Sequence, residues 1–98
     1  AATSHLPYLL SSALVHATPD DASRFIGPGF KSASRLAGTS SSIMLGVLQS
    51  NRKNVEEAVV GFRAALEEYE TALKTGDDRR LKTLLDQAAS RYADLMSA

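Results

Sequence analysis

The stretch NVEEAVVGFRAALEEYETALK, residues 54–74, decides the fold class of this 98-residue chain. Its apolar residues recur at intervals of three and four, the spacing of one face of an α-helix. They are Val55, Ala58, Val59, Phe62, Ala65, Leu66, Tyr69, Ala72 and Leu73. Such a helix is about 30 Å long and cannot cover its own apolar face. We therefore expect partner helices from the same chain or from a second copy.

Local signals predict where this long helix begins and ends. Asn54 and Glu57 have the spacing of a capping box at its start, and Gly76 is expected to end it. Asp77 can then cap a last helix, whose apolar stripe is Leu81, Leu84, Leu85, Ala88, Ala89, Tyr92, Leu95 and Met96. Because the link between the two helices is short, we predict an antiparallel hairpin.

Shorter helices are predicted before residue 54. Residues 1–17 carry a helical apolar stripe, with Ser4 as a candidate cap and Pro7 acceptable in the first turn. A protein that begins inside a helix is expected to be part of a longer one. Thr18, followed by proline at the first helical position, predicts a second, short helix that ends at the turn 27–29.

Two more helices are expected before the long one. Residues 30–36 can form a short helix. Residues 43–48 are expected to form the centre of a further helix of two to three turns, which breaks near residues 50–52. No stretch alternates apolar and polar residues with the period of a strand. The fold class is therefore all-α, a helical bundle in one domain, 1–98.

Composition narrows the classes of function. Eleven basic and eleven acidic residues cancel, which disfavours a helix-turn-helix binder of nucleic acid. Residues 1–54 carry five basic and two acidic side chains, a net charge of +3. This excess is consistent with binding of an anionic ligand and equally with an ordinary scatter of surface charge. The absence of cysteine excludes disulfides and thiolate metal sites. We see no metal site, membrane span or signal peptide, and expect a cytoplasmic protein.

Several polar residues are candidates for ligand binding. Ser4 and His5 lie at a predicted helix start, where backbone N–H groups can hold an anion, and Tyr8 follows one turn later. Arg35, one turn from Lys31, can grip a carboxylate through two hydrogen bonds. The alternatives are a structural role for His5 and a surface ion pair of Arg35 with Asp20 or Asp21. Because no known catalytic or nucleotide-binding motif occurs, the chain is expected to contribute to a site without completing it.

An ordered set of motifs resembles the C-terminal helical domain of prephenate and arogenate dehydrogenases. The set comprises Thr3-Ser4-His5-Leu6-Pro7, Gly27-Pro28-Gly29-Phe30-Lys31, Ser34-Arg35-Leu36-Ala37, Asn51-Arg52 and Gly76-Asp77. The resemblance implies a dimerisation domain like that of 6-phosphogluconate dehydrogenase. It also implies an NAD(P)-dependent oxidative decarboxylation in tyrosine biosynthesis. The nucleotide and the catalytic histidine would belong to a Rossmann domain that is absent from this chain.

By the same resemblance, the chain would form a homodimer and close the pocket for prephenate or arogenate. The residues implied to bind substrate are Ser4, His5, Tyr8, Gly29, Lys31 and Arg35. Three positions depart from family members that use prephenate: Tyr8 replaces a histidine, Ser32 an acidic residue and Met44 a tryptophan. Loss of that histidine favours arogenate or another amino-bearing analogue. The alternative from another class is a free-standing helical interaction module without a ligand.

Overall fold

Every regular element that the computed structural model describes is helical; the description covers residues 5–97 without the side chains of residues 23–25. The α-helices are α1 (His5–Ala17), α2 (Pro28–Ser34), α3 (Ser41–Ser50), α4 (Arg52–Thr75) and α5 (Asp78–Ser97). Two 3-10 helices cover Asp20–Phe25 and Arg35–Gly38. The predicted all-α class is confirmed. The chain divides into two compact units at the boundary between Val60 and Gly61, inside α4.

The first unit is organised around α1, which packs against α2 and against the 3-10 helix Arg35–Gly38. Ser11 of α1 is only 4% exposed. Its hydroxyl donates a hydrogen bond of 2.6 Å to the carbonyl of Ala33, near the end of α2. Carbonyls in the last turn of a helix lack partners within the helix, so this bond satisfies one of them and joins the two helices.

α1 is helical as predicted, but the segment after it differs from the prediction. Pro7 is near the amino end of α1 as described, and proline is tolerated in a first helical turn. The cap expected at Ser4 lies outside the described residues. The predicted cap at Thr18 is wrong, since its hydroxyl donates to the carbonyl of Leu14 at 2.7 Å. Pro19 is the extended residue that precedes the 3-10 helix Asp20–Phe25.

The predicted helix 30–36 is shifted and divided. It begins at Pro28, because proline suits the first helical position and Gly27 before it is extended. The α-helical geometry ends at Ser34, and the chain tightens into the 3-10 helix Arg35–Gly38. Lys31 and Arg35 therefore belong to two successive elements.

The break between α3 and α4 occurs at Asn51, within the predicted interval. Because α4 already begins at Arg52, Asn54 lies inside the helix and the predicted capping box is wrong. The side-chain amide of Asn54 instead donates to the Asn51 side-chain oxygen at 2.8 Å.

The second unit begins at Gly61 and contains the turn between α4 and α5. Gly76 has φ +65° and the N–H of Asp77 donates to the carbonyl of Ala72 at 2.9 Å, which is a Schellman ending. The Asp77 carboxylate accepts the backbone N–H of Arg80 at 2.9 Å and so caps α5. Both signals predicted from the sequence, the glycine stop and the aspartate cap, are confirmed.

The apolar stripes of the second unit remain largely uncovered within the chain. Ala72 and Leu84 are its buried apolar residues among those described, whereas Leu73 is 67% and Tyr92 65% exposed. An ion pair of 2.6 Å between Arg80 and Glu68 links the first turn of α5 to α4. The short link expected for a hairpin is present, but α4 and α5 do not cover each other's apolar stripes.

The two glycines of the second unit predict opposite changes in stability. Gly76→Ala should lower the free energy of unfolding by about 1 kcal/mol, because an L side chain is strained at positive φ. Gly61→Ala, inside α4 with nothing within 4 Å of the added Cβ, should raise it by about 0.5–1 kcal/mol. Urea unfolding of both variants at one protein concentration measures the two changes. Changes of the same sign would contradict the backbone assignment.

Candidate functional site

A cavity of ≈ 360 Å³ lies in the first unit, where α1, the 3-10 helix Arg35–Gly38 and α3 meet. It is lined by His5, Tyr8, Leu36, Thr39, Met44 and Val47. Its volume falls within the roughly 300–1,000 Å³ typical of pockets for small molecules. The first unit can therefore accommodate a ligand of the size of one substituted six-membered ring.

The polar edge of the cavity comes from α1. His5 and Tyr8 are one turn apart and lie near the amino end of that helix. The Nδ1 atom of His5 is buried and has no hydrogen-bond partner in the part of the chain that is described. Buried polar atoms usually have a partner, so a polar group on a bound ligand would satisfy this nitrogen.

The remaining wall is mostly apolar. Met44 and Val47 are one turn apart on α3, and Leu36 and Thr39 come from the 3-10 helix and the residue that follows it. Among the side chains that the structure describes, no aspartate, glutamate, lysine or arginine belongs to this lining. The arrangement suits a ligand with an apolar ring and a polar group at one edge.

The structure brings together two of the six residues predicted to bind substrate, His5 and Tyr8. Gly29 and Lys31 lie on α2 and Arg35 opens the following 3-10 helix; all three are exposed and none lines the cavity. Arg35 immediately precedes the lining residue Leu36. Ser4 lies outside the described residues. The role of each remains a prediction.

The alternative role for Arg35, an ion pair with Asp20 or Asp21, does not occur within the described residues. Arg35 is exposed and directly precedes the lining residue Leu36 in the sequence. A second hydrogen bond supports this region, from the Ser34 hydroxyl to the carbonyl of Phe30 at 2.7 Å. Together with the Ser11 bond it fixes the end of α2 directly before Arg35.

Sequence reasoning did not predict the cavity residues Leu36, Thr39 and Val47. Met44 was identified only as a position that departs from the family pattern, and it was not predicted to line a cavity. Leu36, Met44 and Val47 are apolar helical residues, whose pattern predicts a core position as readily as a pocket wall. Ser11 lies off the apolar stripe predicted for α1, so the pattern did not predict its burial or its hydrogen bond to Ala33.

Two apolar surfaces lie away from the cavity. The first, which we call the α3–α4 groove, has a volume of ≈ 370 Å³ and is lined by Leu9, Leu45, Leu48, Gln49, Arg52, Val55, Glu56 and Val59. The second, the α4 face, belongs to the second unit and consists of Arg63, Leu66, Glu67, Tyr69, Glu70, Leu73 and Lys74. Each combines leucines with charged residues of both signs. Within residues 5–97, no cluster of side chains could hold a metal ion, and no helix is long and apolar enough to span a membrane.

These features define a class: an all-α domain with a small-molecule cavity in one unit and uncovered amphipathic helices in the other. Residues 1–87 match the model of the family described as "Prephenate dehydrogenase, dimerization domain". The chain belongs to this family, which confirms the resemblance found in the sequence.

A solved structure has the same fold. The chain is similar to the arogenate dehydrogenase of Synechocystis, with a TM-score of 0.86 and 22% sequence identity over 95% of this chain. The chain spans 36% of the length of that protein. At this identity the likeness concerns the helical architecture.

Proposed function

We propose that this chain is the C-terminal domain of a prephenate or arogenate dehydrogenase and supplies substrate binding and dimerisation. The observation that carries the proposal is the family match over residues 1–87. The cavity lined by His5 and Tyr8 supports it, because its size and polarity suit a cyclohexadienyl ring with polar substituents. The full-length enzyme would be cytoplasmic, in keeping with a chain free of cysteine.

The chemistry assigned to the full-length enzyme is oxidative decarboxylation with NAD or NADP as the hydride acceptor. The residues of this chain do not fit the nucleotide, since the sequence has no glycine-rich phosphate loop between a strand and a helix. The nucleotide and the catalytic histidine are therefore assigned to a Rossmann domain outside this chain. Within this chain we assign no catalytic residue, no cofactor-binding residue and no metal ligand.

The residues of this chain bind and orient the substrate. Leu36, Met44 and Val47 pack against the ring and exclude water from it. His5 Nδ1 and the Tyr8 hydroxyl offer hydrogen bonds to the ring's polar substituents. From the flank, the guanidinium of Arg35 holds a substrate carboxylate, while Lys31, Gly29 and Ser4 complete the edge of the site. Positioning of this kind lowers the entropic part of the barrier to hydride transfer.

Arg35→Ala in the full-length enzyme should lower kcat/KM by roughly 30- to 1000-fold, since a charge-assisted and bidentate contact is worth about 2–4 kcal/mol. Thermal stability should change little, because Arg35 is exposed. Arg35→Lys should give an intermediate loss, because it keeps the charge without the fork. Lys53→Ala, an exposed change in α4, is the matched control. Unchanged kinetics of Arg35→Ala with both prephenate and arogenate would remove Arg35 from the site.

Tyr8 is the residue proposed to favour arogenate. It lines the cavity beside His5, and a phenol remains a neutral donor where an imidazole can become a cation. The amine of arogenate is better tolerated without an added cation nearby. Tyr8→His should therefore shift the ratio of kcat/KM values toward prephenate by about tenfold, the effect of ~1.4 kcal/mol.

Steady-state kinetics on both substrates, with wild-type and Tyr8→His full-length enzyme, decide this point. Tyr8→Phe is the control, because it removes the hydroxyl without adding an imidazole and should not increase the preference for prephenate. A wild-type enzyme that strongly prefers prephenate would contradict the assignment.

The homodimer is supported by the α4 face as well as by the family description. Leu66 and Leu73 are more than half exposed on this face. Arg63, Glu67, Glu70 and Lys74 surround them with both signs of charge, so a second copy can present opposite charges across a two-fold axis. Burying such leucines against a partner stabilises the complex by about 1.5–3 kcal/mol for each fully buried side chain.

Leu66→Asp should weaken dimerisation at least 100-fold, because burying an unpaired carboxylate costs several kcal/mol. The variant should stay helical, since Leu66 is already half exposed in the single chain. Sedimentation over a range of concentrations measures association, and circular dichroism checks helicity. Ser90→Asp adds the same charge on the side of α5 opposite its apolar stripe and should dimerise normally. A folded wild-type monomer at high concentration would defeat the homodimer proposal.

A further inference from the structure

We propose that Ser11 is a positioning residue for substrate binding: its hydroxyl holds Leu36 in the wall of the cavity that His5 and Tyr8 line from α1. The inference rests on the proposed function and adds a residue that does not itself line the cavity. Ser11 is buried, with 4% of its surface exposed. Its effect on the substrate is therefore indirect and acts through the segment that it holds.

On α1, the row of residues that lines the cavity leads to Ser11. His5, Tyr8 and Ser11 follow one another at intervals of three residues. Residues at this spacing are neighbours on the surface of a helix. Ser11 lies about 4.5 Å beyond Tyr8 along the helix axis. The buried serine and the polar edge of the cavity thus belong to one row on a single helix.

A matching row occurs on the segment that packs against α1. Ala33, whose carbonyl accepts the hydrogen bond, precedes the cavity residues Leu36 and Thr39 by three and six residues. Leu36 lies in the 3-10 helix Arg35–Gly38, where three residues make one turn. The N–H of Thr39 donates to the carbonyl of Leu36 at 3.0 Å. This row therefore also leads from the hydrogen bond to the cavity.

The two rows run in opposite directions along the chain. The cavity residues precede Ser11 on α1, and they follow Ala33 on the other segment. The hydrogen bond of 2.6 Å between these two residues is therefore at one end of the cavity, three residues from Tyr8 on one side and three from Leu36 on the other. Of the hydrogen bonds in the described part of the chain, this is the one that joins α1 to another helix.

A hydrogen bond can fix the register of the two rows in a way that apolar packing cannot. Apolar contacts are non-directional and tolerate small displacements, whereas a hydrogen bond weakens steeply when its angle departs from the preferred range. The bond from Ser11 therefore restrains the wall at Leu36 relative to α1. Without it, the wall can move against α1 and the fit to a substrate ring is lost.

Ser11→Ala in the full-length enzyme should raise the KM for the substrate about fivefold and leave the KM for the nucleotide unchanged, because the nucleotide is assigned to the other domain. A purely structural role would instead reduce the amount of folded enzyme, which lowers the apparent kcat at unchanged KM. Thr18→Val is the matched control, since the Thr18 hydroxyl bonds to Leu14 and joins no second helix. Its substrate KM should equal that of wild type.

Ser11→Cys provides the same test with the volume of the side chain nearly kept. A thiol is only a weak donor, so the substrate KM should rise about two- to fivefold. Because this variant creates no cavity, it keeps the proposal testable even where Ser11→Ala fails to fold. Thermal unfolding of each variant sets an assay temperature at which all of them are folded.

A double-mutant cycle tests whether Ser11 acts through Leu36. Leu36→Ala alone should raise the substrate KM, because it removes part of the wall. In the Leu36→Ala background, Ser11→Ala should raise the KM by less than about twofold, since the side chain through which it acts is gone. Effects of independent sites would multiply. A full fivefold increase in this background would overturn the route through Leu36.

The outcomes separate this inference from the proposed function. A wild-type enzyme that oxidises neither prephenate nor arogenate overturns the proposed function and this inference with it. An active wild type whose substrate KM is unchanged by Ser11→Ala and Ser11→Cys overturns the positioning role and leaves the proposed function standing. A raised substrate KM at unchanged nucleotide KM, with the effect largely lost in the Leu36→Ala background, establishes the role of Ser11.

Discussion

An amphipathic helix is stable in water only when another surface covers its apolar side. This constraint governs α4 and α5. Within one chain, Ala72 and Leu84 are the buried apolar residues among those described in the second unit, while leucines of both helices and Tyr92 stay exposed. A half-exposed leucine gains roughly 1 kcal/mol when its remaining surface is covered. Several such side chains together make association with a second chain strongly favourable.

In the first unit, the position of the candidate site depends on one buried hydrogen bond. The hydroxyl of Ser11 joins α1 to the end of α2 through the carbonyl of Ala33. Because the chain continues from there into the 3-10 helix that carries Arg35 and Leu36, this buried hydrogen bond restrains the segment that supplies Leu36 to the cavity wall. The histidine and tyrosine that face this wall come from the other partner of the bond, α1.

The sequence was sufficient wherever a local signal acts alone. Gly76 and Asp77 define a turn through their own backbone and side-chain preferences, and the period of the long stripe defines α4 without reference to any neighbour. The signals failed where two local interactions compete. Thr18 can cap the next helix or bond back to the previous turn, and the structure has the second arrangement. Asn54 lost its capping position because Asn51 ends the preceding helix.

The site was harder to predict for a related reason. His5 and Tyr8 are one turn apart on a single helix, so their spacing in the sequence places them together. Leu36, Thr39 and Val47 join them only through the packing of three elements, and no local pattern distinguishes such a wall from ordinary core. Arg35 illustrates the remaining difficulty. It opens a 3-10 helix and does not continue α2, a change that the apolar pattern does not record.

The link between α4 and α5 has a further consequence for association. Gly76 and Asp77 are held on both sides, by the bond from Asp77 to Ala72 and by the bond from Arg80 to Asp77. The link is therefore a rigid turn, in contrast to a flexible linker. A flexible linker would lose conformational freedom whenever two chains associate, which raises the entropic cost of binding. A rigid turn has already lost that freedom during folding of the single chain. More of the free energy gained by burying apolar surface therefore contributes to the affinity between two chains.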